Sequence, residues 1–356
     1  MIYLEHDKIF AAFRLPGTDK SCLILQNDKM LYDYDIQSFR EKGFIVHPFS
    51  TLNNKSFFIK ADEVYHDKEF VFIPEKINTT GTFSKKDYLK SAKIFLSAVK
   101  TDFEKLVLSR IKSIKAFPGN IYLLFQILCK KYPKAFVFIF NHPYSGTWIG
   151  ASPEILISGR KKMLSTTALA GTQLILKNHE PKWNQKEINE QASVMTYIEE
   201  ILDMKNLEFI KNGPFNKIAA EFESQNLVHL ATEYLILNEA DPYTLAMDLH
   251  PTPAVCGIPK QDASMFILEQ EIHDRAYYSG FLGPVNYEEN DELHLFVNLR
   301  SMEVFSNEFL LYIGGGMNDK STVKKEWKET ENKARTLETA IEEYFSKIKP
   351  PKNREA

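Results

Sequence analysis

Cysteine is scarce: Cys22, Cys129 and Cys256 are the three in 356 residues, odd in number and widely spaced. That excludes a disulfide framework and a thiolate metal site, and it fits a reducing cytoplasm. No apolar run approaches the roughly 18 residues a membrane-spanning helix needs; AFVFIF at 135–140 has the length of a buried strand. A basic surplus is also missing, with 44 Lys and Arg against 47 Asp and Glu and a net charge of -3, so there is no electrostatic footprint for nucleic acid. The opening MIYLEHDKIF lacks the basic stretch and long apolar segment of a secretory signal. What remains is the profile of a soluble cytoplasmic protein. At 44% hydrophobic and 26% charged residues the chain can bury a substantial core, as one large domain or two ordinary ones.

Residues 1–85 read as short strands and turns (AAFRL, SCLILQ, SFFIKA, EFVFIP) that carry no cluster of chemical groups. Pro74 and the polar stretch 79–88 mark a boundary, and Ser84 has the place of an N-cap before a helix with apolar residues at helical spacing. LVLSRIKSIKA and AFVFIFNH are strands by their content, with a helix, NIYLLFQILCKKY, between them. GTWIGASPEILISGRKKMLSTTALAGT predicts two strands flanking a turn at Ser152-Pro153. Further on come a helix over NQKEINEQASVMTYIEEILDM, a strand at LVHLATEYLIL, a proline-rich turn at HPTPAVCGIPK and a helix running from Asp262 to Tyr278. A hairpin through the turn at 286–291 follows, then the strand LLYIGGG and a final helix over 321–346, with a charged tail at 349–356. Strands in hairpins and clusters, without strict βαβ alternation, predict an α+β architecture with mostly antiparallel sheets.

A few residues invite chemistry. The apolar strand at 311–313 is expected to break at Gly314, Gly315 and Gly316, where the missing Cβ atoms would let an anion approach main-chain N–H groups. Glu326, Glu329 and Lys333 share a face of the following helix. Lys105 shares a strand face with Val107; it is either an exposed edge lysine or a desolvated one whose pKa falls toward the range of a base. Glu154 follows Pro153 at the head of an apolar strand, where a carboxyl is either solvated or raised in pKa as an acid. Glu190 continues the apolar stripe of Val194 and Ile198, so it needs a partner, either a salt bridge or, with Glu329, a Mg²⁺ ion. His229 and Arg300 interrupt apolar strands. The first reads as a core histidine, the second as half of an ion pair or a bidentate carboxylate holder.

Together and in order, KLVLSR, GASPEIL, TTALAGT, LVHLAT, LHPTPAVCG, Asp274-Arg275 with Tyr278 and Gly280, VNLRS, and GGG followed by EWKETENK resemble the chorismate-utilising enzymes related to anthranilate synthase component I. The resemblance covers roughly residues 86–348 and implies large twisted antiparallel sheets, helices outside, and a deep central cleft. Residues 1–85 resemble the family's divergent N-terminal part. Lys105 stands where ammonia-using members carry glutamine, and Ala170 where aminodeoxychorismate enzymes carry a nucleophilic lysine, which implies water as nucleophile.

The resemblance then implies an Mg²⁺-dependent isochorismate synthase serving menaquinone or siderophore synthesis, with menaquinone favoured. Salicylate synthase is the alternative, followed by an ammonia-using anthranilate-type synthase or a non-catalytic chorismate-binding relative. It implies Lys105 as base and Glu154 as acid, and Glu190 and Glu329 as metal ligands with Glu326 acting through water. The main chain at Gly171 and Thr172 would hold the ring carboxylate, and Tyr278, Arg300, Gly314 and Lys333 the enolpyruvyl carboxylate, with His229 a substrate contact. Gln191 stands where the ligand motif usually has histidine, which leaves Glu187 as a fallback for Glu190. No amidotransferase subunit is implied, and a monomer is expected.

Overall fold

The computed structural model describes residues 1–33, 41–79, 83–160, 162–221 and 225–348; the expected tail at 349–356 lies outside them. Strands β1 (Ile2–Tyr3), β2 (Phe10–Arg14), β3 (Ser21–Leu25), β4 (Gly43–His47), β5 (Phe57–Lys60), β6 (Glu63–His66) and β7 (Phe70–Val71) come first. Helix α1 (Lys85–Ala98) starts at Ser84, which forms a reciprocal capping box with Asp87. Then follow β8 (Lys105–Lys115), α2 (Tyr122–Lys131), β9 (Phe136–His142), β10 (Gly146–Ser152), β11 (Ile155–Arg160) and β12 (Met163–Leu176). Helix α3 (Gln185–Met204) leads to the long pair β13 (Phe209–Glu221) and β14 (Gln225–Ile236), then α4 (Pro242–Leu249), β15 (Gly257–Ile258) and α5 (Lys260–Gln270). The chain closes with β16 (Phe281–Val285), β17 (Glu292–Val297), β18 (Ser301–Val304), β19 (Glu308–Met317) and α6 (Val323–Lys347). The sequence did not announce β13 or α4.

Two antiparallel sheets face each other. One has the order β15-β8-β19-β18-β10-β9-β2-β3-β6, the other β13-β14-β12-β11-β17-β16-β4-β5. Residues 1–71 thus add strands to both. Alternation along β9 shows how the layers form: Phe136, Phe138 and Phe140 point between the sheets, while Val137 and Ile139 point outward under α2 and α6. Phe136 stacks on Phe296 of the opposite sheet with ring centroids 4.1 Å apart. The outer face of the second sheet is covered by α3 and α4 through Val194, Ile198, Leu245 and Leu249.

Two of the chain's passages between the sheets lie side by side. The segment 152–155 leaves β10 and enters β11, and 297–301 leaves β17 and enters β18. Val297 N–H donates to the Glu154 carbonyl (3.0 Å), Ala151 N–H to the Arg300 carbonyl (3.0 Å) and Ser152 Oγ–H to the Val297 carbonyl (2.5 Å). The segment 146–172 is therefore three strands where two were expected, and the turn expected at Ser152-Pro153 is a passage between sheets. Pro153, with no N–H, ends the ladder there. Arg300 is likewise not within a strand; its φ of 49° places it in the left-handed region at the second crossing.

Two other expectations change. Helix α5 stops at Gln270, eight residues short of Tyr278, because Glu271 turns inward to take the Ser109 N–H (2.6 Å), and Ala276 (φ 46°) and Ser279 (φ 63°) adopt turn geometry. Tyr278 therefore sits in a turn. The three glycines do not break β19: Gly314, Gly315 and Gly316 pair in register with Ser109, Leu108 and Val107.

Candidate active site

A cavity of about 710 Å³ opens where β8, β19, the two crossings, α3 and α6 meet. Its walls include Lys105, Glu154, Gly171, Glu190, His229, Tyr278, Arg300, Gly314, Glu329 and Lys333, so the residues singled out in distant motifs converge. Of the others, Thr172 lies in β12 with its side chain outside the described residues. Glu326 is buried one turn before Glu329 and is not in the cavity wall; its carboxylate faces Gly315.

The glycines act through absence. A Cβ on Gly314 would lie 2.8 Å from the Tyr278 hydroxyl, and one on Gly316 3.0 Å from Lys105 Cε and 3.9 Å from Glu190 Oε1. One on Gly315 would point away, into ordinary contact with Thr330 (3.6 Å) and Glu326 (3.7 Å). Alternation along the strand thus splits the triplet into two cleft positions and one structural position. Gly315→Ala is expected to leave turnover unchanged and to stabilise the fold by up to about 1 kcal/mol. Gly314→Ala is expected to push the Tyr278 hydroxyl aside and weaken substrate binding. Chemical denaturation and the KM of the two variants check this pair.

Main-chain donors come from a strand edge. Ser109 N–H donates to Glu271 and Val107 N–H to the Cys256 carbonyl, both away from β19. Their partners Gly314 and Gly316 accordingly turn their own N–H and C=O groups away from β8. Pairing with β18 ends at Tyr312, so these groups face the cavity edge. The Gly314 carbonyl accepts from Lys333 Nζ (3.0 Å), whose ammonium also pairs with Glu329 (2.8 Å). Across the cleft, the register of β12 slips between Ala170 and Gln173 at Gly171, φ 69°.

Glu154 is 6% exposed, and Thr252 Oγ1 reaches its carboxyl at 3.5 Å. Burial pushes its pKa up to about 7, against the pull of the Lys105 charge. His229 Nδ1 lies 2.8 Å from the Gly171 carbonyl, and burial, aided by the Arg300 charge, pushes its pKa down to about 4. The ring is neutral at pH 7. A carbonyl can only accept, so Nδ1 carries the proton and Nε2 is the acceptor. Arg300 is steadied by a hydrogen bond from Nη1 to Thr336 Oγ1 (2.9 Å).

The metal-ligand alternatives separate by hydrogen bonding. Glu187 closes the capping box of α3 with Asn184 and accepts from Gln173 Nε2 (3.1 Å), so its oxygens serve the helix start. Glu190 stands beside Lys105 at Gly316. Gln191 points away from the cleft, donating to Thr232 Oγ1 (3.0 Å), so its difference from histidine leaves the carboxylate set untouched. Among the described residues no three His, Cys, Asp or Glu side chains form a self-sufficient metal site. Two carboxylates in one cavity wall, from α3 and α6, suit an ion such as Mg²⁺ that keeps several waters and shares a ligand with its substrate.

Tyr132, Asn184, Asn332 and Thr336 also line the cavity and went unnoticed in the sequence. Counting on from Glu329 by three, four and seven gives Asn332, Lys333 and Thr336, a stripe that the helical period could have exposed.

Comparison with known proteins decides the family. The sequence profile described as chorismate binding enzyme matches residues 52–342. The chain belongs to the chorismate binding enzymes. Among curated chorismate-family relatives, the vibriobactin-specific isochorismate synthase of Vibrio cholerae is 31% identical over 201 residues, 53% of this chain and 49% of that one. The chain spans about half the length of the curated relatives it matches. Menaquinone-specific isochorismate synthase MenF of Escherichia coli shares the fold at a TM-score of 0.78 and 19% identity, over 95% of this chain and 89% of that one. Anthranilate synthase component I of Streptococcus pneumoniae does so at 0.68 and 15%, over 94% and 91%. The α+β fold expected for a chorismate binding enzyme is thus the fold observed. No described helix of this chorismate binding enzyme is long and apolar enough to cross a membrane.

Proposed function

We propose that this chain is an isochorismate synthase, exchanging the C4 hydroxyl of chorismate for a hydroxyl at C2. The observation that carries the reading is one cavity holding Lys105 and, at an adjoining wall, Glu154, a carboxyl that burial lifts to a pKa of about 7 so that it still carries a proton near neutrality. Relatives of this family whose names state isochorismate synthesis support the same reaction.

In the step proposed, a water oxygen bonds to C2 as the ring double bonds shift and the C4–O bond breaks. Lys105 takes a proton from the attacking water, and Glu154 gives its proton to the departing hydroxyl, which leaves as water. Composition is unchanged, so the reaction is expected to be reversible. Arg300, Tyr278 and Lys333 hold the enolpyruvyl carboxylate, the last two against the Gly314 main chain. The Gly171 and Thr172 amides take the ring carboxylate. His229 Nε2 accepts from a substrate hydroxyl. Glu190 and Glu329 are the residues that would hold Mg²⁺, with Glu326 behind Gly315 contributing through water; the ion, when bound, would neutralise the ring carboxylate and draw electrons from the ring. A monomer acting without an amidotransferase in the cytoplasm fits a water-using enzyme, with menaquinone synthesis favoured over siderophore synthesis as its setting.

Purified protein incubated with chorismate and Mg²⁺, with and without EDTA, is expected to give a chorismate–isochorismate mixture on HPLC that chelation abolishes. Salicylate with free pyruvate would transfer the assignment to salicylate synthase. No turnover with Mg²⁺ or ammonia would overturn the catalytic reading.

A further inference from the structure

The Asp274-Arg275 motif has so far no part in the chemistry, yet Arg275 is among the most constrained side chains in the molecule. It is 3% exposed and lies over the Phe49 ring at 4.4 Å. Its Nε and Nη2 donate to the two oxygens of Glu271 (2.7 Å each), Nη1 to the Val255 carbonyl (2.8 Å) and Nη2 to the Val107 carbonyl (2.7 Å). Glu271 in turn accepts from Ser109 N–H (2.6 Å) and Ser109 Oγ (3.0 Å), the latter also 2.9 Å from His273 Nε2. The Arg275 carbonyl accepts from Tyr278 N–H (2.9 Å).

Those contacts end on three separate walls of the cleft. Val107 stands two residues beyond Lys105 on β8, Val255 lies in the turn before β15, and Tyr278 is in the turn after α5; all three line the cavity. We propose that Arg275 and Glu271 form a positioning pair that fixes the strand bearing Lys105 against the turn bearing Tyr278, without touching substrate. The proposal rests on the roles given above to Lys105 and Tyr278. A buried ion pair is often no more stabilising than apolar packing, so stability alone is a weak reason for one here. A rigid planar fork that serves two wall carbonyls and a carboxylate at once is a reason, and a lysine ammonium on a flexible stem cannot reproduce it.

The experiment uses the full chain with Arg275→Lys, which keeps the charge, and Glu271→Gln, which keeps acceptor capacity, so that at least one variant folds. Steady-state kinetics with chorismate are read beside hydrogen exchange. Arg275→Lys is expected to lower kcat/KM by about 10²-fold, the scale of an ångström misplacement. Exchange should rise at 105–109 and 271–280 while α3 and β14 keep their protection. Combined with Tyr278→Phe, it should lose less than the product of the two single losses by about threefold or more, because the pair is proposed to act by holding Tyr278 in place. Wild-type kinetics and exchange in both variants would overturn the proposal; so would exchange rising throughout the chain with kinetic losses that simply multiply. If the unaltered protein does not turn over chorismate, the functional reading falls instead, and the exchange pattern alone decides for or against the pair.

Discussion

Glu154→Gln is expected to lower turnover steeply while making the protein more stable at neutral and alkaline pH. Burial raises the folded-state pKa of this carboxyl from 4.5 to about 7. Such a group costs the fold nothing below pH 4.5, where it is protonated folded or unfolded. The cost grows as pH rises from about 4.5, because only the unfolded chain ionises it freely, and levels off above about 7. At 1.36 kcal/mol per unit this reaches about 3 kcal/mol at pH 8. Glutamine keeps the shape and removes that cost. Denaturation curves should show the variant gaining about 2–3 kcal/mol at pH 8 and nothing at pH 4. Loss of a positioned acid should lower kcat by about 10²–10⁴-fold. In the unaltered enzyme the same titration predicts a forward rate that declines as pH rises past about 7. A variant that keeps its turnover, or shows no pH-dependent gain in stability, would remove Glu154 as the acid.

Much of the site was legible because the residues that carry it interrupt strong patterns. Glu190 lies on an apolar helical stripe, and Lys105 shares a face with Val107; both periods point into the protein, and both side chains line the cavity. Long-range pairing was not legible. Nothing local in GASPEIL tells that β10 and β11 belong to different sheets, since a proline turn between two apolar strands is the pattern of a hairpin as well. Only the pairing of β18 with β10 and of β17 with β11 makes it a crossing, and it is the crossing that sets Glu154 beside Arg300. Tyr278 failed for a related reason: the helix pattern from Asp262 continues past Gln270, but burial of Glu271 against Ser109, 162 residues earlier, overrides it. The glycines misled in the opposite way. Three in a row favour a turn locally, yet the ladder with β8 holds them extended, and two serve as space for Tyr278 and Lys105.

Lys105→Gln separates the base from the shape of the cleft. Glutamine can occupy much of the same volume but cannot accept the proton of an attacking water, so kcat is expected to fall by about 10²–10⁴-fold. A second consequence follows from the charge. Lys105 holds the Glu154 pKa down, so its removal should raise that pKa further, and the stability loss that begins near pH 4.5 should become larger and continue to higher pH. Gly316→Ala is the control, because a methyl 3.0 Å from Lys105 Cε shifts the ammonium while leaving it charged. That variant should lose about 10²-fold from misplacement, yet keep the Glu154 titration closer to the native value. If Lys105→Gln loses no more activity than Gly316→Ala, and the alkaline stability profile does not move, Lys105 is a wall of the cleft and the proton goes elsewhere. If the rate falls and the profile shifts together, one lysine serves both roles: as the neutral amine it deprotonates the nucleophile, and when protonated its charge tunes the acid opposite it.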